Sequence, residues 1–97
     1  MKIKELKDGM RQVNLEGEII DKSETRSVSL RRTGGQANVA DATLRDDSGS
    51  VKLSLWDDLI DQVKVGNQVK IENGYTNSFR GEIRVNVGRY GRLTVSE

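Results

Sequence analysis

Ala42-Thr43-Leu44-Arg45-Asp46-Asp47-Ser48-Gly49-Ser50-Val51-Lys52-Leu53-Ser54-Leu55-Trp56 reads as two strands joined by a tight turn. Side chains alternate between the two faces of a strand. In the second half, Val51, Leu53 and Leu55 therefore share one face, and Lys52, Ser54 and Trp56 share the other. In the first half, a strand over Asn38 to Arg45, Ala40, Ala42 and Leu44 form the apolar face. Asp46-Asp47-Ser48-Gly49 between them is a hairpin signal, because glycine enters turn conformations at little steric cost. The one tryptophan of the chain falls on the polar face, beside a lysine and a serine. A flat π-surface next to a cation on an exposed sheet face is what a stacked nucleobase requires.

Working outward, strand-like segments recur at short intervals with turn signals between them, as in a small barrel or sandwich. Upstream lies a strand over Arg11 to Lys22, with Val13, Leu15, Ile19 and Ile20. Gly17 inside it predicts a bulge or a sharp bend. Ser23 to Gln36 is polar and arginine-rich and reads as strand ends plus a mobile loop. Downstream of Trp56, Asp57 or Asp58 caps a short helix carrying Leu59, Ile60 and Val63. Gly66-Asn67 ends that helix.

A fourth strand runs from Gln68 to Tyr75, followed by a loop from Thr76 to Gly81 that holds Phe79 and Arg80. A fifth covers Glu82 to Val87, with Ile83, Val85 and Val87 inward and Arg84 and Asn86 outward. Leu93-Thr94-Val95 closes the chain. The order β-β-β-α-β-β predicts an all-β fold with one short helix. Five strands with a helix after the third match the OB-fold, a partly open Greek-key barrel. The helix would plug its open end. An SH3-like barrel is the runner-up, but it has no use for that helix.

The chain has 97 residues, consistent with one domain over 1–97 and one modest core. It has no Cys, no His and no Pro. That removes disulfides, thiolate metal sites, thiol nucleophiles and the commonest general base. No metal and no cofactor is expected. No apolar run reaches membrane-span or signal-peptide length, so a soluble cytoplasmic protein is the default.

The net charge is +1, yet the charges are segregated. Arg26, Arg31, Arg32 and Arg45 face one acid, Asp41, between residues 26 and 45. Arg80, Arg84, Arg89 and Arg92 face Glu82 between residues 75 and 95. Between these stretches, Asp46, Asp47, Asp57, Asp58 and Asp61 face Lys52. Such segregation is the electrostatic footprint of a polyanion site.

In an OB-fold, oligonucleotides bind the face of the second and third strands, between the loops joining strands one to two and four to five. The arginine-rich stretches fall on those loops. Trp56, Tyr75 and Phe79 are the stacking candidates, and Lys52, Arg31, Arg32, Arg80 and Arg84 the phosphate-binding candidates. Tyr75 is in phase with inward Val69 and Ile71, so it reaches the face only if the strand bulges near Gly74. Tyr90 is a weaker candidate that would instead close the barrel edge.

The hairpin Ala42 to Trp56 resembles that of archaeal single-stranded DNA-binding proteins and of the OB domains of archaeal replication protein A. Val65 to Tyr75, Phe79-Arg80-Gly81, Leu6-Lys7-Asp8-Gly9-Met10 and Val13 to Ile20 extend the resemblance over most of the chain. It implies base stacking at three aromatic positions, matched here by Trp56, Tyr75 and Phe79. The simple crenarchaeal members more often carry a second Trp where this chain has Tyr75. The expected function is binding of single-stranded DNA with little sequence preference, in replication, recombination or repair.

The expected state is a monomer with replication or repair proteins as partners. RNA or tRNA binding is one alternative, and a protein-interaction domain of a replication complex another. An OB-fold nuclease would need the aspartates as metal ligands, but turn and cap roles explain them more simply. No enzyme is expected. Many such proteins carry a polar or acidic tail. The sequence stops at Ser96-Glu97, which leaves open a minimal protein or one domain of a longer chain.

Overall fold

The computed structural model describes residues 1–29, 34–88 and 90–96, except for the side chain of Phe79. Among these described residues, seven strands follow a 3-10 turn over Ile3–Glu5. They are β1 (Val13–Lys22), β2 (Arg26–Ser29), β3 (Gln36–Asp46), β4 (Gly49–Trp56), β5 (Gln68–Phe79), β6 (Glu82–Asn86) and β7 (Arg92–Ser96). One helix, α1 (Asp58–Gln62), joins β4 to β5.

The strands lie in the order β1-β3-β4-β6-β5-β7, and β1 also pairs with β5. The sheet therefore closes into a ring of β1, β3, β4, β6 and β5, with β2 added to β3 and β7 to β5. The β4–β6 pairing is parallel, and the other ring pairings are antiparallel. This is the five-stranded OB-fold arrangement with one short helix.

Alternation fills the ring. Ala40, Ala42, Leu44, Leu53, Leu55, Val69, Ile71, Val85 and Val87 are buried together with Val13, Leu15 and Ile19. Ile60 and Val63 cover one end of the core, with Leu59 packed at its edge. Ile3 and Leu6 of the N-terminal segment also join the core, a closure absent from the sequence-based expectation. No helix among the described residues is long and apolar enough to cross a membrane.

Several local expectations need correction. The register of β1 on β3 shifts between Ile19 and Asp21, so the irregularity lies at Ile20 and not at Gly17. Gly17 instead permits close backbone approach, since a Cβ there would stand 2.4 Å from the Arg45 carbonyl oxygen. The stretch from Ser23, read as strand ends plus a loop, contains a separate strand, β2, whose Val28 pairs with Ala37.

Asp57 does not cap α1 with its side chain. Its Oδ1 accepts a hydrogen bond from the Asn38 backbone N–H at 3.0 Å, while its own N–H donates to the Asn38 carbonyl at 2.9 Å. It thus extends the β3–β4 pairing. The other end of α1 is held by Lys22, whose Nζ donates to the carbonyls of Ile60 and, at 2.9 Å, Val63. That is the favourable place for a cation on a helix.

Candidate nucleic-acid interface

The register of β3, β4, β6 and β5 places one set of side chains on a continuous outer face. Across β3 and β4, Val39 stands opposite Trp56, Asp41 opposite Ser54 and Thr43 opposite Lys52. Across β4 and β6, Lys52 neighbours Arg84 and Ser54 neighbours Asn86. Across β6 and β5, Asn86 faces Tyr75 and Arg84 faces Asn77. β2 adds Arg26 opposite Val39. A shallow groove of about 300 Å³ runs over this face, bordered by Trp56, Val39, Val28, Arg26 and Arg84.

Trp56 is 39% exposed at the end of β4, on the face that strand alternation assigns to it. Tyr75 is 41% exposed. The cause is a bulge: Val13 pairs with Gly74 but Leu15 with Ile71, so β5 carries one extra residue against β1. Asn73 there has φ +56°, a left-handed conformation that Asn tolerates better than most residues. Its N–H is held by the Asn14 side-chain oxygen at 3.0 Å. Past the bulge the phase reverses. Gly74 and Thr76 turn inward and Tyr75 outward.

Tyr75 packs against Gly88, where a Cβ would lie 2.7 Å from the ring atom Cε1. Arg11, Tyr75, Gly88 and Tyr90 border a second hollow of about 450 Å³ at that end. With β6 between β4 and β5, Trp56 and Tyr75 stand on strands roughly 10 Å apart, two sheet spacings. Tyr90 is largely exposed and does not close the sheet edge. Its carbonyl accepts a hydrogen bond from Asn73 Nδ2 at 3.3 Å.

Phe79 was expected in a loop, but β5 continues through it and pairs it with Glu82. The β5–β6 connection is only the turn at Arg80 and Gly81, with φ of +55° and +79°. Positive φ at both central residues matches the tight hairpin turns whose twist suits a sheet. Arg80 is exposed at that tip. Lys52 lies half-buried on the face, donating from Nζ to Thr43 Oγ1 at 3.2 Å. Arg31 and Arg32 lie outside the described residues.

Arg84 is more enclosed than a surface cation. Its Nη1 is 2.9 Å from Asp41 Oδ1, and both side chains are about four-fifths buried. Arg26 Nη1 reaches the other carboxylate oxygen at 3.3 Å. Sequence reasoning did not single out Asp41 as a partner of these arginines. Its one signal was being the single acid in an arginine-rich stretch.

The two aspartates of the β3–β4 turn have structural roles. Asp46 Oδ1 accepts from the Ser48 hydroxyl at 2.6 Å and from the N–H groups of Ser48 and Gly49 at 2.7 and 3.2 Å. Its Oδ2 accepts from the Ile3 N–H at 2.9 Å. Partial desolvation works to raise its pKa, but these hydrogen bonds together prevail and lower it to about 2. Asp47 pairs with Lys2 at 2.6 Å. Among the described residues, no group of three acids stands together as a metal site.

An OB-fold with exposed aromatics and cations on this face is the architecture of an oligonucleotide-binding protein. The family model for Ssb-like single-stranded DNA-binding proteins of the OB fold matches residues 6–95, and the chain belongs to that family. A single-stranded DNA-binding protein Ssb of Saccharolobus solfataricus is 34% identical over 87 residues, covering 90% of this chain and 57% of that protein. A replication factor A of Methanothermobacter thermautotrophicus is 32% identical over 98 residues, covering 95% of this chain and 12% of that protein. The chain thus spans little more than half of the first relative and about an eighth of the second.

Among solved structures, the second OB-fold domain of replication protein A from Methanococcus maripaludis superposes with a TM-score of 0.81 at 23% identity. It is matched over 94% of its length and over 100% of this chain. A replication protein A heterotrimer bound to single-stranded DNA gives 0.77 at 18% identity, over 99% of this chain and 24% of that one. At these identities the agreement concerns the fold.

Proposed function

We propose that this domain binds single-stranded DNA with little sequence preference and serves replication, recombination or repair as a binding protein, not an enzyme. The observation that carries the reading is the joint exposure of Trp56 and Tyr75 on the outer face, with Lys52, Arg26 and Arg84 between or beside them. Bases stack on aromatic faces regardless of sequence, while cations follow the backbone. Phe79, Arg31, Arg32 and Arg80 complete the proposed contact set. Family membership and the relatives named as single-stranded DNA-binding protein and replication factor A support it.

The test uses Trp56 as its own probe, since it is the sole tryptophan. Titration with single-stranded oligonucleotide should quench its emission, and duplex DNA of equal length should not. Preference for a matched RNA oligomer would transfer the reading to RNA. No change with any nucleic acid at low salt would refute it. Log affinity should also fall with log salt, by about 0.7 for each phosphate neutralised.

A further inference from the structure

We infer that Asp41 is an internal competitor for the nucleic-acid phosphate: it holds Arg26 and Arg84 in the free protein and releases one of them to the ligand. The inference rests on the single-stranded DNA reading and adds a residue that sets its affinity.

The geometry is specific. Asp41 sits on β3, Arg84 on β6 and Arg26 on β2. β4 separates Arg84 from Asp41, and the residue opposite Asp41 on β4 is Ser54. A side chain as small as serine leaves room for Arg84 to lie across the strand. The two guanidinium groups then meet the two oxygens of one carboxylate, at 2.9 and 3.3 Å. Both arginines border the groove beside Trp56. A carboxylate resembles a phosphate in offering paired oxygens to guanidinium forks.

The two ion pairs differ in a way that decides which one opens. Arg84 is enclosed, with its side chain 21% exposed, so stripping it of its partner without replacement is costly. The Arg26 side chain is 53% exposed, and its longer bond is screened by water. Arg26 is therefore the arm that swings to a phosphate, while Arg84 keeps Asp41. The negative charge of Asp41 also repels the incoming backbone. Together these effects hold affinity below what the arginines alone would reach.

Asp41→Asn tests this. Asparagine retains an oxygen acceptor for Arg84 and removes the charge. At low salt the variant should bind a short oligothymidylate about threefold to tenfold more tightly, chiefly through faster association. Its log affinity should fall with log salt along the native slope, because Arg26 meets the same phosphate in both complexes. Adding Arg26→Gln should abolish the gain. Equal or weaker binding by a folded Asp41→Asn protein, or an equal gain in the Arg26→Gln background, overturns the inference.

A second measurement needs no variant. The side-chain nitrogen resonances of Arg26 in the native protein should shift on adding the oligomer, more than those of Arg84. Static Arg26 resonances in a protein that binds would also overturn it. If the native protein binds no oligonucleotide, the underlying reading fails first, a result distinct from either of these.

Discussion

Tyr75 rests on the bare Cα of Gly88, where even a methyl group would stand 2.7 Å from the ring. Gly88 also has φ +74°, which costs other L-residues about 1–2 kcal/mol. Gly88→Ala should therefore both strain the backbone and displace the ring. We expect weaker binding of single-stranded DNA, approaching that of Tyr75→Ala. The double variant should bind no worse than Tyr75→Ala alone, because the two changes act through one ring. Additive losses in oligonucleotide titrations would show that Gly88 acts elsewhere.

Trp56→Ala should weaken binding at least about tenfold, since stacking on one aromatic contributes about 1–3 kcal/mol per base. The side chain is far from fully buried and lies on the outer face, so unfolding should move little. Because the variant loses its fluorophore, anisotropy of a labelled oligomer is the appropriate readout. An affinity within twofold of the parent would remove Trp56 from the site.

Gly17→Ala separates stability from binding. The new Cβ would meet the Arg45 carbonyl oxygen at 2.4 Å and Leu44 Cδ1 at 3.0 Å, between two paired strands. Such overpacking costs about 1–3 kcal/mol. The melting temperature should fall clearly, while the folded fraction binds oligonucleotide as before. A melting curve that matches the parent would mean that β1 and β3 can part at this corner without loss.

Acid should loosen the N-terminal closure. The folded pKa of Asp46 lies at about 2, below its ordinary value of 3.8. A depressed carboxyl favours folding when ionised, and that contribution is complete above the unfolded pKa. It is lost as pH falls from about 4 towards 2. Asp46→Asn should flatten the stability profile across that window and lower stability at neutral pH. Denaturant unfolding at a series of pH values checks both, and parallel profiles for parent and variant would contradict it.

Much of this architecture is legible in the residues, for reasons that differ by element. The hairpin of β3 and β4 is plain because its alternation is unbroken and one face is apolar. β2 is not, since it pairs with β3 alone among the described strands and carries a single apolar residue, Val28. The end of β5 is hidden for another reason. Thr76 is buried by hydrogen bonds, its Oγ1 accepting from the Met10 N–H and donating to the Lys7 carbonyl. Polar burial of that kind looks like loop in a hydrophobicity pattern. Trp56 could be placed from alternation alone. Asp41 could not, because its role depends on strands 15 and 43 residues away in the chain.

The bulge at Asn73 makes the proposed ligand surface a matter of parity. Deleting that one residue would leave every aromatic and every arginine in the chain. It would nevertheless exchange the two sides of the rest of β5, sending Tyr75 towards the core and Thr76 out to solvent. Two chains with the same aromatic residues and arginines can therefore differ in whether they present a second ring to a base. Within this fold, a change of length inside a strand is as consequential as replacement of the aromatic residue itself.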